Sequence, residues 1–524
     1  MTLFQHADLF EGVADALPDR LAVICGDDRL TFAELDRAAN RLAHALAADG
    51  VRPGQHVGMQ LYNGIEYVTA LVAVMKIRAV PVNVNYRYVE NELRYLYDDS
   101  DIVALLFDTE FDERVAAVAP EAAKLRRLVA VGGPTTVPGA VEYGAFVADQ
   151  SDARDFPPRG EDDHYVIYTG GTTGMPKGVI WTAKNILWGF ANPTYEPPKT
   201  PEGWVAHAAN SGQLIMMAVA PLMHGAAQVG MWIGWWIGAT MVFVRKFEAD
   251  TVWRAIEREK VNSLTITGDA MAIPMADALE QNSYDLSALF AYVSTGAIMT
   301  GAVAARLQAL LPNVIIMDRF GSTESGSTAQ ATPGSSPEKG LRFAPDAPDI
   351  AVLDDDLQPV KAGSGVIGQV ARSGYIASGY YKDAEKTAKT FPVVDGRRWL
   401  LTGDLATVED DGTIAVYGRG SQAINTGGEK VFPEEVEAVL KTHPGVFDAL
   451  VTAIPDSRFG SRVAAVVQLR AGATTESDLD AHCRSLLSGY KVPRTYAFVP
   501  EMRRSPAGKA DYRWAKETAA NAAG

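Results

Sequence analysis

The sequence predicts an α/β fold, with a large N-terminal domain built on mainly parallel sheet and a small C-terminal α+β domain. Three observations predict it. Helical and strand patterns alternate over the first 200 residues. Near residue 400 the texture changes to hairpin-forming strands. The chain has 524 residues, 47% hydrophobic and 21% charged, which is more than one domain usually holds and ample for a core.

In chain order, LTFAELDRAANRLAHALAADG (30 to 50) has helical apolar spacing and stops at Gly50, and HVGMQLY follows as a strand. EYVTALVAVMKIRAV is the next helix, PVNVNYR reads as a turn, and VALLF as a short buried strand. Glycine and proline cluster at 192 to 203 and 333 to 348, which predicts surface loops. No repeat of 20 to 50 residues occurs, so solenoids and propellers are excluded. RRWLLTGDLATVE and TIAVYGRG predict antiparallel strands joined by a turn at Asp410-Asp411-Gly412. Beyond Gly420 come helix FPEEVEAVLKTHP, strands DALVTAIP and RVAAVVQLR, helix ESDLDAHCRSLLSGY and strand TYAFVP. The predicted domains are therefore 1–419 and 420–524, with the boundary near Arg419 to Ser421.

Charge excludes several functions. Lys plus Arg total 48 against 64 Asp plus Glu, a net charge of -16, so no global positive field draws the chain to nucleic acid or anionic lipid. Cys25 and Cys483 are too few for a disulfide framework or a cysteine metal cluster and fit a reducing cytoplasm. The eight histidines form no HExxH pair. Asp8 and Glu11 stand where an export signal needs positive charge and an apolar run, so none is expected. Gly203 to Val244 carries no Lys, Arg, Asp or Glu, but Asn210, Ser211, Gln213, Pro221, His224 and Gln228 break it into pieces too short to span a bilayer. Buried helix and strand are expected there, with no integral span; a peripheral membrane contact and a homodimer stay open.

The densest glycine and hydroxyl segment is Tyr168-Thr-Gly-Gly-Thr-Thr-Gly-Met-Pro-Lys-Gly-Val179, after the strand-like HYVIY. Its glycines remove bulk, Thr169, Thr172 and Thr173 offer hydroxyls, and Lys177 adds charge, which suits a polyphosphate. It is not a Walker A loop, because no glycine stands five residues before a Gly-Lys-[Ser/Thr] ending. Gly363-Ser-Gly-Val-Ile-Gly368 matches GxGxxG only formally, since no helix pattern follows it, and a hairpin turn is expected.

The loop TGGTTGMPKG resembles the phosphate-binding signature of the acyl-adenylate-forming superfamily, which includes acyl-CoA synthetases, adenylation domains of peptide synthetases and beetle luciferases. The resemblance continues in order through Pro221-Leu-Met-His224, Ser294-Thr-Gly-Ala297, Phe320-Gly-Ser-Thr-Glu324, Leu401-Thr-Gly-Asp404, Gly418-Arg419, Gly427-Gly-Glu429 and Ser505-Pro-Ala-Gly-Lys509. It implies a β-barrel-like part in the large domain and a mobile small domain. It further implies ATP, Mg²⁺ and CoA as cofactors and a small-molecule carboxylic acid as substrate. Lys509, Glu324, Thr169 and His224 are then catalytic, with Glu324 the metal contact. Thr169, Gly170, Gly171, Thr172, Thr173, Gly174 and Lys177 hold phosphate. Gly296, Ala297, Asp318, Phe320, Gly321, Ser322 and Thr323 bind nucleotide, Asp404 and Arg419 the ribose, and Gly427 and Gly428 line a thiol tunnel. Two departures stand out: Phe320 replaces a tyrosine but keeps the flat face for adenine, and Ser421 near the hinge lacks the usual charge.

Because the charge-free run offers no carboxylate to an ammonium, an amino acid substrate is disfavoured and a hydrophobic monocarboxylate expected. Met216, Met217, Met223, Met231, Trp232, Trp235 and Trp236 offer apolar walls, although several are also needed for the core. The wording YTGGTTGMPKGV and GRGS..INTGGEKVFPEEVE is most similar to bacterial fatty-acyl and steroid side-chain acyl-CoA ligases. No carrier segment follows Lys509, which favours free CoA as acceptor. Rival readings are a carrier-loading or oxygenase-type enzyme sharing the first half-reaction, and a non-catalytic nucleotide sensor, which would need neither Glu324 nor Lys509.

Overall fold

The computed structural model describes residues 5–171, 174–190, 198–297, 299–331, 341–345, 349–426, 429–456, 460–472, 474–504 and 509–523. Helix Phe32–Ala48 starts at Thr31, which forms a reciprocal capping box with Glu34, and turns off at Gly50, whose φ of 93° is left-handed. Its apolar stripe, including Leu35, Ala39, Leu42 and Leu46, packs on helix Ile65–Lys76, which is buried nearly all round. Two sheets form the large domain. The first runs in spatial order Gly379–Tyr380, Gly174–Thr182, His164–Gly171, Val80–Asn83, His56–Gln60, Ile102–Asp108, Arg127–Val131 and Val141–Glu142. Its six last-named strands are parallel, as the βαβα rhythm predicts.

The second sheet is parallel from Ile315–Ser322 through Ala291–Thr295, Ser263–Ile266, Ile215–Ala218 and Thr240–Phe243 to Leu21–Cys25. The barrel-like part takes the form of an antiparallel extension of this sheet, with its own core of Phe343, Ile350, Val352, Val370, Ala406, Ile414 and Val416. Within it, Leu400–Val408 and Ile414–Arg419 pair antiparallel with Asp404 opposite Arg419, the predicted hairpin. Gly363–Gly368 leads into strand Gly368–Arg372 rather than a helix, and Gly363 and Gly365 both have φ 70°. The small domain packs strands Val446–Asp456, Gly460–Leu469 and Tyr496–Val499 against helices Pro433–Lys441, Glu476–Leu486 and Tyr512–Ala522.

Several expectations are corrected. PVNVNYR is not simply a turn, because Val80–Asn83 is a fully buried parallel strand. Part of each predicted loop is regular: helix Pro201–Asn210 starts inside 192 to 203, and Leu341–Pro345 is a strand, while 192–197 and 333–340 lie outside the described residues. Helices His6–Ala16 and Tyr512–Ala522 were not anticipated.

The charge-free run folds as helix Pro201–Asn210, strand Ile215–Ala218, helix Gly225–Trp236 and strand Thr240–Phe243. Among the described residues no helix is long and apolar enough to cross a membrane. The expected acid-pocket walls are largely core instead. Met217, Met231, Trp232, Trp235 and Trp236 are buried among the main core residues, and Met223 lies in the core of the first sheet. Trp235 Nε1 donates to the Ala22 carbonyl at 2.9 Å, and the His6 imidazole lies stacked on both Trp232 and Trp236, at 5.3 and 5.4 Å.

Burial pushes His6 down to about 3, so it is neutral in the fold and chargeable once unfolded. Between its ordinary value and about 3, the unfolded state binds the extra proton, and stability falls as pH falls. His6→Phe removes this dependence. In urea titrations at pH 7 and pH 5, wild type should lose about 2 kcal/mol more than the variant.

Candidate active site

The glycine-rich segment is a hairpin rather than a strand-to-helix loop: His164–Gly171 and Gly174–Thr182 pair antiparallel, with Thr169 opposite Lys177. Gly170, Gly171 and Gly174 belong to its strands near the tip, while Thr172 and Thr173 lie outside the described residues. Asn83 fixes the hairpin. It is 3% exposed; its Nδ2 donates to the carbonyls of Tyr168 (2.8 Å) and Met223 (2.6 Å), and its Oδ1 accepts from the Tyr168 N–H (2.7 Å). The Tyr168 hydroxyl donates to Asp99, and burial pushes its ionisation far up, so the ring stays a neutral donor. Gly178 is required by packing, because a Cβ there would lie 2.8 Å from the Tyr168 ring. Lys177 forms an ion pair with Asp383, so an incoming phosphate competes with a carboxylate for its ammonium.

Phe320–Glu324 sits where strand Ile315–Ser322 turns back into Gly326–Ala331. Hydroxyls build this turn: the Ser322 Oγ accepts from the N–H groups of Glu324 and Ser325, and the Ser325 Oγ accepts from the Ser322 N–H. Trp181 reaches across from the hairpin and donates to the Thr323 carbonyl at 2.9 Å. Glu324 Oε1 accepts from the Tyr380 hydroxyl at 2.9 Å. Phe320 packs on Phe343 with ring centroids 5.2 Å apart.

Gly296, at φ 80°, follows strand Ala291–Thr295 and leads into Ala297; a Cβ there would stand 3.9 Å from Ala226 and 3.7 Å from Thr267. Asp318 lies opposite Ser294 across the parallel pair. Burial, aided by nearby Asp269, raises its carboxyl to about 7, against the Ser294 hydroxyl, which lowers it. Asp404 is 8% exposed. Its pairing with Arg419 is a backbone register; the Arg419 side chain, Gly427 and Gly428 lie outside the described residues.

Turn Pro221–His224 ends at the N-cap of helix Gly225–Trp236, and His224 Nε2 is buried without a hydrogen-bond partner. Its pKa is lowered to about 3 by burial first and then by the charges of Lys509 and Arg87. The exposed Lys509 of the small domain thus lies close enough to act on the large-domain turn. A neutral imidazole with an unpaired nitrogen beside two cations is a donor set that suits an anionic oxygen. Among the described residues no cluster of three or more metal-ligating side chains occurs. Glu324 offers one carboxylate, to which a divalent cation carried on a polyphosphate could add its own phosphate oxygens.

The hairpin, the Pro221 turn, the Gly296 and Thr323 segments and Lys509 of the small domain thus lie together. Sequence reasoning missed Asn83, Arg87, Tyr380 and Asp383. Asn83 sits inside a segment read as a turn, and the partners Tyr380 and Asp383 are more than 50 residues from the groups they hold. Asn83→Ala strands the Tyr168 N–H and two carbonyls in the core. It should lower stability by about 3 kcal/mol or more in urea unfolding.

Comparisons with known proteins identify the family. Residues 10–381 match the family model for AMP-binding enzymes, and 435–509 match that for the AMP-binding enzyme C-terminal domain. A medium/long-chain-fatty-acid CoA and 3-oxocholest-4-en-26-oate CoA ligase of Mycobacterium tuberculosis is 48% identical over 523 residues, 98% of this chain and 95% of that one. The 3-oxocholest-4-en-26-oate CoA ligase of Rhodococcus rhodochrous is 46% identical over 528 residues, again 98% and 95%. An anthranilate CoA ligase solved in complex with anthranoyl-AMP superposes with a TM-score of 0.86 at 26% identity, covering 100% of this chain and 98% of that one. A model match over most of the chain, and relatives this similar along their full lengths, leave one conclusion: the chain belongs to the AMP-binding enzyme family.

Proposed function

We propose that the protein is an AMP-forming acyl-CoA ligase for hydrophobic carboxylic acids. In the first half-reaction the acid's carboxylate oxygen displaces pyrophosphate from the α-phosphorus of ATP, giving an acyl-adenylate. In the second, the acyl carbon passes to the CoA thiol and AMP leaves. The observation that carries the reading is the docking of the small domain with Lys509 acting on His224, beside the motifs that resemble a nucleotide site.

In this reading Thr169 to Gly174 and Lys177 hold the phosphates, with Thr169 beside the reacting group. Gly296, Ala297, Asp318 and Phe320 to Thr323 hold the adenine end. Asp404 and Arg419 hold the ribose. Lys509 stabilises the negative charge that develops as the carboxylate attacks an anionic phosphate. His224, held neutral by burial and by the two cations, contacts the carboxylate without competing for it. Mg²⁺, held by Glu324 and phosphate oxygens, would screen the triphosphate charge. Gly427 and Gly428 would line the pantetheine path in the second half-reaction.

The acid preference rests on one face of helix Gly225–Trp236. Its part-exposed stripe is Ala226, Gly230 and Ile233; Ala226 adjoins Gly296, and a Cβ on Gly230 would meet open space. No carboxylate stands on it to pair with an ammonium. The names of the relatives point the same way, to medium- and long-chain fatty acids and a steroid side-chain acid.

The test incubates the protein with ATP, Mg²⁺, CoA and acetate, butyrate, octanoate, palmitate, benzoate, a steroid side-chain acid or an amino acid, and measures pyrophosphate. Each buried methylene contributes about 0.8 kcal/mol, so octanoate should exceed acetate in kcat/KM by over about a hundredfold. A maximum at acetate or at an amino acid overturns the acid preference. For the lysine, Lys509→Ala should slow acyl-adenylate formation by about a hundredfold or more. Transfer from supplied acyl-adenylate to CoA should stay near wild type; equal loss in both steps refutes its role.

A further inference from the structure

The last residue of helix Pro433–Lys441 reaches from the small domain into the large one. Lys441 is 6% exposed at its side chain, and its Nζ lies 3.3 Å from both Asp269 Oδ2 and Asp448 Oδ1. Asp448 belongs to the small domain and is already held by Arg504, at 2.6 and 2.7 Å. Glu437, the remaining acid beside them, accepts from the Val451 N–H and is pushed by burial toward its neutral form. Lys441, Asp448 and Arg504 thus present one net positive charge to the interface. The large domain answers with Asp269, 3% exposed, at the first turn of helix Gly268–Gln281.

The anchor is braced by the nucleotide segment. Asp269 Oδ1 accepts from the Thr300 N–H at 2.8 Å, a few residues beyond Gly296 and Ala297, and its charge is felt at Asp318. A second contact, Arg470 to Asp277 at 3.3 Å, is part-exposed and shared with Arg306. Exposed pairs of that kind contribute little, whereas a buried charge that loses its partner costs several kcal/mol. Of these two contacts, Lys441–Asp269 is the one buried enough to hold an orientation strongly.

We propose that Lys441 and Asp269 are positioning residues for the adenylating half-reaction: their buried pair holds the small domain where Lys509 meets His224. The inference rests on the two-step reading above. An orientation that separated the pair would leave Asp269 without this cation, so the pair favours the docked one.

The test uses the full chain with Asp269→Asn, Lys441→Met and both together, assaying the half-reactions separately. Asparagine keeps the bond to Thr300, and Lys441 keeps Asp448, so Asp269→Asn should slow adenylation by about tenfold. Lys441→Met leaves Asp269 buried, unpaired and beside Asp318, and should slow it by roughly a hundredfold. The double variant should recover to the level of Asp269→Asn, a rescue that loss of packing by Lys441 cannot produce. Transfer from supplied acyl-adenylate should stay near wild type in all three. Equal loss of both steps, or a double variant no better than Lys441→Met, overturns the proposal. A second readout is independent of turnover: the interdomain distance between spin labels at exposed positions 113 and 513. One distance is expected in wild type and a second population in each single variant; a single unchanged distance in both refutes the pair's role. If wild type activates no acid but the labels respond, the pair stands and the functional reading falls.

Discussion

The site depends on Asn83. A parallel sheet offers its strand ends as a rim, but a rim becomes a site only when loops from other layers are held against it. Asn83 does so with one side chain, binding the hairpin strand through both the N–H and the carbonyl of Tyr168, and the turn before His224 through the Met223 carbonyl. An amide is the side chain that can both donate twice and accept in so small a volume. With those two segments fixed, Trp181 on the same hairpin reaches the Thr323 carbonyl, and Gly225 beside His224 packs toward Ile167 and Thr323. The hairpin, the His224 turn and the Thr323–Glu324 turn, which belong to two different sheets, are thereby mutually placed.

That frame rests on the apolar cores of the two sheets and carries charged groups of both signs. The overall charge of -16 would repel an anionic nucleotide at long range. Locally cations are gathered as well: Arg87 and Lys509 both act on His224, and Lys177, paired with Asp383, stands across from Thr169. Supplying one of these cations from the small domain makes the local field depend on domain orientation. A fixed lysine would favour anion binding at all times, whereas one carried on the small domain favours it only while docked. Undocking would separate the buried Lys441–Asp269 pair, and Asp318 nearby is raised chiefly by its own burial.

Much of this was legible in the sequence, for physical reasons that differ from element to element. The hairpin of Asp404 and Arg419 was readable because alternation has period two and the Asp-Asp-Gly turn fixes its register. Helix Phe32–Ala48 was readable because capping box, stripe and terminal glycine agree. Glu324, His224 and Lys509 were singled out by residue type and motif order, and the structure brings Lys509 within electrostatic reach of His224. What was not legible depends on distant partners. Strand Val80–Asn83 was taken for a turn because its Pro-Val-Asn pattern has no alternation; it is buried on both faces, as inner parallel strands are. Asp269 and Lys441 are 172 residues apart, and neither has a local signal separating an interface charge from a solvated one.

The charge-free run shows the same limit at the level of one helix. Every residue of Gly225–Trp236 is uncharged, so composition cannot say which face is core and which faces a ligand. The fold decides it. His6 and Phe10 of the N-terminal helix pack on Trp232, Trp235 and Trp236, which consigns the tryptophans to support. The remaining stripe begins at Ala226 beside Gly296 and carries small or aliphatic side chains, and a glycine at 230 weakens the helix without a close neighbour that demands it. Large residues on one face fix the helix in place, and small ones on the other leave room beside it.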